Sequence, residues 1–134
     1  MILRKEGLDL IKLFRTKEQQ HSFNFPFQVG TSGDDPASAE QQIHDVKHND
    51  IIVMASDGLW DNVYDERVVE VLRPFIRDTD TLLDPQLVAE MIAKTAENLS
   101  NQNSYLSPFA KSARDHFYDF VGGKPDDITV IVGQ

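Results

Sequence analysis

The chain has 134 residues, with 22 acidic side chains against 13 basic ones, a formal net charge of −9 and no cysteine. That length suits one ordinary domain with its own core, while the acidic balance argues against nucleic-acid binding through a general basic field. The lack of cysteine excludes disulfides, thiolate chemistry and zinc–sulfur sites and fits a reducing compartment. No apolar run reaches the ~18 residues of a membrane span, and Met1-Ile-Leu-Arg-Lys-Glu6 has neither the long apolar region of a signal peptide nor the Arg- and Ser-rich character of a transit peptide.

Met1 to Lys5 and Leu8 to Arg15 are apolar-rich runs separated by Glu6-Gly7, a pattern that favours a hairpin. A chain that opens directly on a strand reads as a cut through a larger domain. Residues 21–49 carry Pro26, Gly30, Gly33 and Pro36, which break any periodicity and suggest a loop-rich crossing. Ile51-Ile-Val-Met-Ala55 is five apolar residues bounded by polar ones, the pattern of a strand buried on both faces. It ends at Ser56-Asp57-Gly58.

Two helices are expected next. Asp65 is placed to cap the first, whose apolar positions are Val68, Val71, Leu72 and Phe75, with Pro74 kinking or shortening it before residue 77. The second runs over 84–99, with Asp84 as cap, Pro85 at the first helical position, and Val88, Met91, Ile92, Thr95, Ala96 and Leu99 on one face. A short helix from Pro108 to His116 follows a polar stretch. The chain closes on a Gly/Pro/Asp turn and a β-branched strand with Ile128, Val130 and Val132 on one face.

Asp57 stands at the end of one apolar strand and Asp126 at the start of another. Carboxylates at the ends of adjacent strands can be held rigidly at one rim of a sheet, an arrangement suited to a hard divalent ion. Taken singly, Asp-Gly and Asp-Asp are also ordinary turn residues.

The wording around the two aspartates is more specific. Ile51-Ile-Val-Met-Ala-Ser-Asp-Gly-Leu-Trp-Asp-Asn62 resembles the signature of the metal-dependent protein serine/threonine phosphatases of type 2C, an apolar strand running into Asp-Gly-aliphatic-Trp/Phe-Asp. Asp126-Asp-Ile-Thr-Val-Ile-Val132 resembles the closing motif of the same family, in the right order and at a fitting distance. Phe23-Asn-Phe-Pro-Phe-Gln28 resembles a stretch of its mitochondrial subgroup. The resemblance spans nearly the whole chain but only the C-terminal half of the family's catalytic domain. A Gly-Asp-Ser strand, an Asp-Gly-x-Gly-Gly region and an early phosphate-binding arginine belong to the family's front half, and no residue here matches them.

The resemblance implies an α+β fold, the C-terminal half of a four-layer α/β/β/α sandwich of antiparallel sheets, with residues 1–134 as one unit and the helices near 65–77 and 84–99 on one sheet's outer face. It implies that Asp57 and Asp126 ligate one metal ion, Mn²⁺ or Mg²⁺, of a pair held by the whole protein. Asp61 matches a position that holds a third, weaker ion. Gly58 and Asp127 match supporting positions, the first for a sharp backbone turn and the second to steady the loop. Without metal, the Asp57 and Asp126 carboxylates should stand ~4–6 Å apart, within the range of mutual repulsion, with Asp61 on the same rim a little farther out. The implied reaction is hydrolysis of phosphoserine and phosphothreonine in phosphoprotein partners, by water activated at the metals, without a protein nucleophile. A monomer with no membrane span and no nucleic-acid partner is expected, in an intracellular location that the chain itself does not specify and for which the subgroup resemblance offers mitochondria.

Trp60 reads as a packing residue, and His21, His44, His48 and His116 as surface residues. Ser56 lacks the glycine pattern of a nucleophile elbow. Two other readings remain open at this level. Haloacid-dehalogenase-like phosphatases end a strand with Asp-x-Asp-Gly, but the nucleophile position here is Ala55, and that reading requires a parallel sheet. A truncated or degenerate phosphatase could instead persist as a non-catalytic binding module.

Overall fold

The computed structural model describes residues 1–134. In chain order it has strands β1 (Ile2–Glu6), β2 (Asp9–Phe14), β3 (Gln20–Ser22), β4 (Phe25–Pro26) and β5 (Ile51–Ala55), helices α1 (Asp57–Trp60), α2 (Asp65–Leu72), α3 (Pro85–Ser100) and α4 (Pro108–Asp115), and a final strand β6 (Val130–Gly133).

The opening hairpin forms as expected, with Gly7 at its turn in the left-handed region (φ 64°), where a side chain would be strained. One sheet has the order β2-β1-β5-β6 and is antiparallel throughout. β5 runs against β1 with Ile2 opposite Ile52, and against β6 with Met54 opposite Ile131 and Ala55 opposite Val130. That topology removes the haloacid-dehalogenase-like reading. The loop-rich crossing of 21–49 holds only the small β3–β4 hairpin and a single 3-10 turn at Pro36–Ser38.

α2 and α3 pack together and cover one face of the sheet, α3 along β6 and α2 against β2. Leu3, Leu10, Ile51 and Val53 from the strands meet Val68, Leu72, Val88, Ile92 and Ala96 from these helices in one core. Burying each Leu, Ile or Val of this set contributes about 1.5–3 kcal/mol. Ile128, Val130 and Val132 all turn toward this core, as their alternation predicts.

Two expectations need correction. β5 is buried on one face only: Ile51 and Val53 are fully buried, but Ile52 and Met54 are 40% and 56% exposed, because this chain provides a helical layer for one side of the sheet and nothing for the other. Of the four expected layers, the chain thus shows one sheet and the helices on it. Asp65 is the first residue of α2 rather than its cap, a position held by Tyr64 with no side-chain bond. Its carboxylate instead receives Lys12 Nζ at 2.5 Å and Arg15 Nε at 3.2 Å, and still places negative charge in the first helical turn. The shortening expected at Pro74 is seen: α2 stops at Leu72, and Pro74 lies in a single 3-10 turn, Arg73–Phe75, because proline has no N–H to continue the helical ladder.

α3 and α4 begin as the sequence suggests. Asp84 Oδ1 accepts a hydrogen bond from Leu87 N at 3.0 Å, with Pro85 next in line. Val88, Ile92 and Ala96 form the buried stripe, while Met91 lies at its margin, 42% exposed. Ser107, fully buried, caps α4 by accepting from Ala110 N at 3.0 Å.

Candidate metal centre

The site begins where β5 ends. Ser56 is extended (φ −67°, ψ 166°), and the chain then enters the one-turn helix α1, so that Asp57 is a first-turn helical residue where the sequence suggests a plain turn. Ser56 binds this turn to the C-terminal motif: its N–H donates to Thr129 O at 3.1 Å, and its hydroxyl donates to Asp127 O at 2.8 Å and accepts from Thr129 N at 3.0 Å. The hydroxyl is fully engaged, which accords with its not serving as a nucleophile.

Two further residues hold the segments together. Gly58 is buried against Asp127, and a Cβ there would be driven into the Asp127 carbonyl oxygen and lie 3.0 Å from its carbonyl carbon. Asn62, fully buried, donates from Nδ2 to Gly58 O at 2.9 Å and Lys124 O at 2.8 Å, while its Oδ1 accepts from Lys124 N at 2.8 Å. Nothing in the sequence pattern singles out Asn62 beyond its place at the end of the signature.

This backbone stitching gathers Asp57, Asp61 and Asp126. One carboxylate oxygen from each lies within 4.8 Å of the others, although Asp57 and Asp126 are 69 positions apart in sequence. Asp57 and Asp126 are exposed. Asp61 lies within the cluster rather than outside it and is only 7% exposed, because it closes α1 and its carbonyl accepts from Phe109 N at the start of α4. Asp126 Oδ1 accepts from Asp127 N at 2.8 Å. The contacts of Asp127 with the rest of the site come from its backbone, and its side chain points into solvent.

Lys124 is the site residue that sequence reasoning missed. Its ammonium lies 2.6 Å from Asp61 Oδ2 and 3.7 Å from Asp126 Oδ2, and 4.6 Å above the Phe109 ring. The only sequence signal is a basic residue two positions before Asp126 in the closing turn. Burial alone would lower the Lys124 pKa, but the bond to Asp61 and the charges of Asp61, Asp57 and Asp126 outweigh it and raise it, so the side chain is an ammonium at neutral pH. Burial pushes the Asp61 carboxyl up, and Lys124 beside it acts in the opposite sense.

The donor set fits a hard divalent cation. It consists of carboxylate oxygens alone, the ligand type Mg²⁺ and Mn²⁺ prefer, and an ammonium already stands among them as a stand-in positive charge.

Beside the cluster opens a cleft of about 840 Å³. Arg15, Lys17, Trp60, Phe109 and His116 line it, and Asp57, Asp61 and Lys124 form the wall at the site. Trp60 packs on the core and carries the Arg15 guanidinium 5.0 Å from its ring, a packing role with one face toward the cleft. Phe23 ties the opening hairpin of the crossing to α4, with its ring centroid 5.2 Å from that of Phe109 and 5.0 Å from that of His116. The histidines are surface residues: His21 pairs with Asp34 at 2.8 Å, His44 lies on Phe14, His48 is exposed and His116 lies on Phe23.

An antiparallel α+β fold with three carboxylates gathered at one rim of its sheet is the class of structure these features define. Comparison with known proteins is consistent in sequence and in shape. Residues 25–104 match the family described as protein phosphatase 2C. The probable protein phosphatase 2C 80 of Arabidopsis thaliana is 35% identical over 148 residues, covering 98% of this chain and 35% of that protein. The protein phosphatase PTC7 homolog of Xenopus laevis is 39% identical over 127 residues, covering 88% of this chain and 42% of that protein. The X-ray structure of the photosystem II phosphatase PBCP superimposes with a TM-score of 0.78 at 26% identity, covering 98% of this chain and 53% of the other. The chain belongs to the protein phosphatase 2C family. It spans 35% and 42% of the length of these two curated relatives.

Proposed function

We propose that residues 1–134 form the C-terminal part of a type 2C catalytic domain, and that the protein containing them hydrolyses phosphoserine and phosphothreonine in phosphoproteins, with Asp57 and Asp126 as ligands of a divalent ion. The observation that carries this is the convergence within 4.8 Å of Asp57 and Asp61 with Asp126, which is 69 positions from Asp57 in sequence. Two Mn²⁺ or Mg²⁺ ions in the whole protein would supply water activation and neutralise charge on the phosphoryl group. The chain's own residues position that chemistry. Asp57 and Asp126 are held at the rim by Ser56, Gly58 and Asn62, Asp61 adds a third carboxylate, and the neighbouring cleft offers Arg15, Lys17 and aromatic surface to a peptide.

The family resemblance of the Phe23–Gln28 stretch supports a mitochondrial location, which organelle fractionation with a specific antibody tests. A monomer remains the proposed state, to be measured by sedimentation.

The decisive assay uses the full-length protein with a phosphopeptide, with and without EDTA. Activity should vanish with EDTA and return with Mn²⁺. Asp57→Asn and Asp126→Asn should each lower kcat by about a hundredfold or more, since a metal supplies several kcal/mol of charge stabilisation. Activity that persists in EDTA sinks the reading. The 134-residue chain alone is expected to turn over no phosphopeptide.

A further inference from the structure

We propose that Lys124 is a tethered cation that occupies the Asp61 corner of the metal centre and competes with a divalent ion for that carboxylate. The inference rests on the metal-centre reading above and adds to it what sets the number and affinity of the ions.

Four observations carry it. Lys124 Nζ contacts Asp61 Oδ2 at 2.6 Å and lies 3.7 Å from Asp126 Oδ2, so one ammonium serves two of the three carboxylates. The Lys124 backbone is anchored independently of its side chain, through N–H and carbonyl bonds to the buried Asn62 amide. Its ammonium therefore returns to the same place whenever no other cation holds Asp61. The side chain also lies over Phe109, whose ring face attracts a positive charge and whose N–H is bonded to the Asp61 carbonyl. Finally, Asp61 is nearly buried, so an uncompensated charge there would be costly, and a cation beside it offsets that cost.

The competition has a defined sign. A divalent ion that takes Asp61 must displace the ammonium, or share the carboxylate with it at the expense of like-charge repulsion. Asp57 makes no bond to Lys124 and remains free for an ion on its own side of the cluster. The centre should thus fill in order, with the ion at Asp57 and Asp126 first and the one at Asp61 last and weakly.

The test is Mn²⁺ titration of the full-length protein followed by electron paramagnetic resonance of free Mn²⁺, with thermal melting in EDTA and in Mn²⁺ alongside. Lys124→Met keeps the stem on Phe109 and removes the charge. It should tighten Mn²⁺ binding by about tenfold or more, the scale of effect of a unit charge at contact distance. It should also melt lower than the wild type in EDTA and gain more from Mn²⁺. Lys124→Gln serves the same purpose if the Met variant does not fold, and Lys124→Arg should keep wild-type behaviour. If Mn²⁺ binds in an Asp57-dependent way with equal affinity in the wild type and both neutral variants, the competition is wrong and the metal centre stands. If neither the wild type nor the neutral variants bind Mn²⁺, or Asp57→Asn leaves binding intact, both are wrong.

Discussion

Gly58 lies so close to Asp127 that a Cβ on the glycine would press on the carbonyl oxygen and sit 3.0 Å from the carbonyl carbon. The only room is backbone against backbone, and it is this approach that sets the spacing between Asp57 and Asp126. Gly58→Ala should therefore part the two motifs and cost about 1–3 kcal/mol, as overpacking of a rigid contact does. Urea unfolding measures the loss. Mn²⁺ binding should weaken in the same variant although no carboxylate has changed.

Asn62 makes three hydrogen bonds from a fully buried position, two of them to the backbone of Lys124. Asn62→Ala leaves Gly58 O, Lys124 O and Lys124 N without these partners. The expected cost is about 2–4 kcal/mol, several times that of an ordinary surface substitution. Asn62→Asp should also destabilise, since it cannot donate to either carbonyl. A loss below about 0.5 kcal/mol in the alanine variant would show that the amide does not clamp the segments.

Asp126 and Asp127 are neighbours with different standing. The Asp126 carboxylate belongs to the acidic cluster, while the Asp127 side chain points to solvent and its backbone serves the site. In the full-length protein, Asp127→Asn should leave kcat within about threefold of the wild type, a difference of about 0.6 kcal/mol. Asp126→Asn should be far more severe. Equal losses from the two would mean that the Asp127 carboxylate has a part in turnover that its exposed position does not suggest.

Arg4 grips Asp50 through two bonds of 2.7 Å, one to each carboxylate oxygen, and Lys47 N adds a third. The Arg4 guanidinium holds the Asp50 carboxyl at about 2, below its ordinary 3.8, against the opposing effect of burial. A carboxyl whose folded pKa is depressed stabilises the fold above its unfolded pKa and loses that contribution as pH falls through the folded one. The stability difference between the wild type and Asp50→Asn should be full above about pH 4 and close toward pH 2. Urea midpoints measured across that range decide it, and a difference independent of pH would count against the pair.

The parts of the fold readable in the sequence were those with local causes. Asp84-Pro85 marks the start of α3 by capping chemistry, and the β-branched alternation after Asp127 marks β6. The convergence of Asp57 with Asp126 was readable only through the resemblance of two motifs to one family. Three features were not legible because their causes are distant. Whether both faces of β5 are covered depends on what else packs on the sheet, not on its five apolar residues. Asp65 gives up the capping role because Lys12 and Arg15, on and just beyond a neighbouring strand, draw its carboxylate. Lys124 joins the site through a contact 63 positions away in sequence, and no period or spacing announces it.

The two-faced apolarity of β5 leaves its alignment weakly specified by hydrophobicity. Sliding the strand by one residue would exchange Ile51 and Val53 for Ile52 and Met54, and the core would still receive two large apolar side chains. The alignment is instead set by polar bonds just outside the strand. Before it, Asp50 is clasped by Arg4 and Lys47; after it, Ser56 is bonded to Asp127 and Thr129. A slip would break both clasps at once and carry Asp57 away from its partners. These two polar latches select one among several similarly greasy pairings, and the selected one is the pairing that brings the carboxylates together.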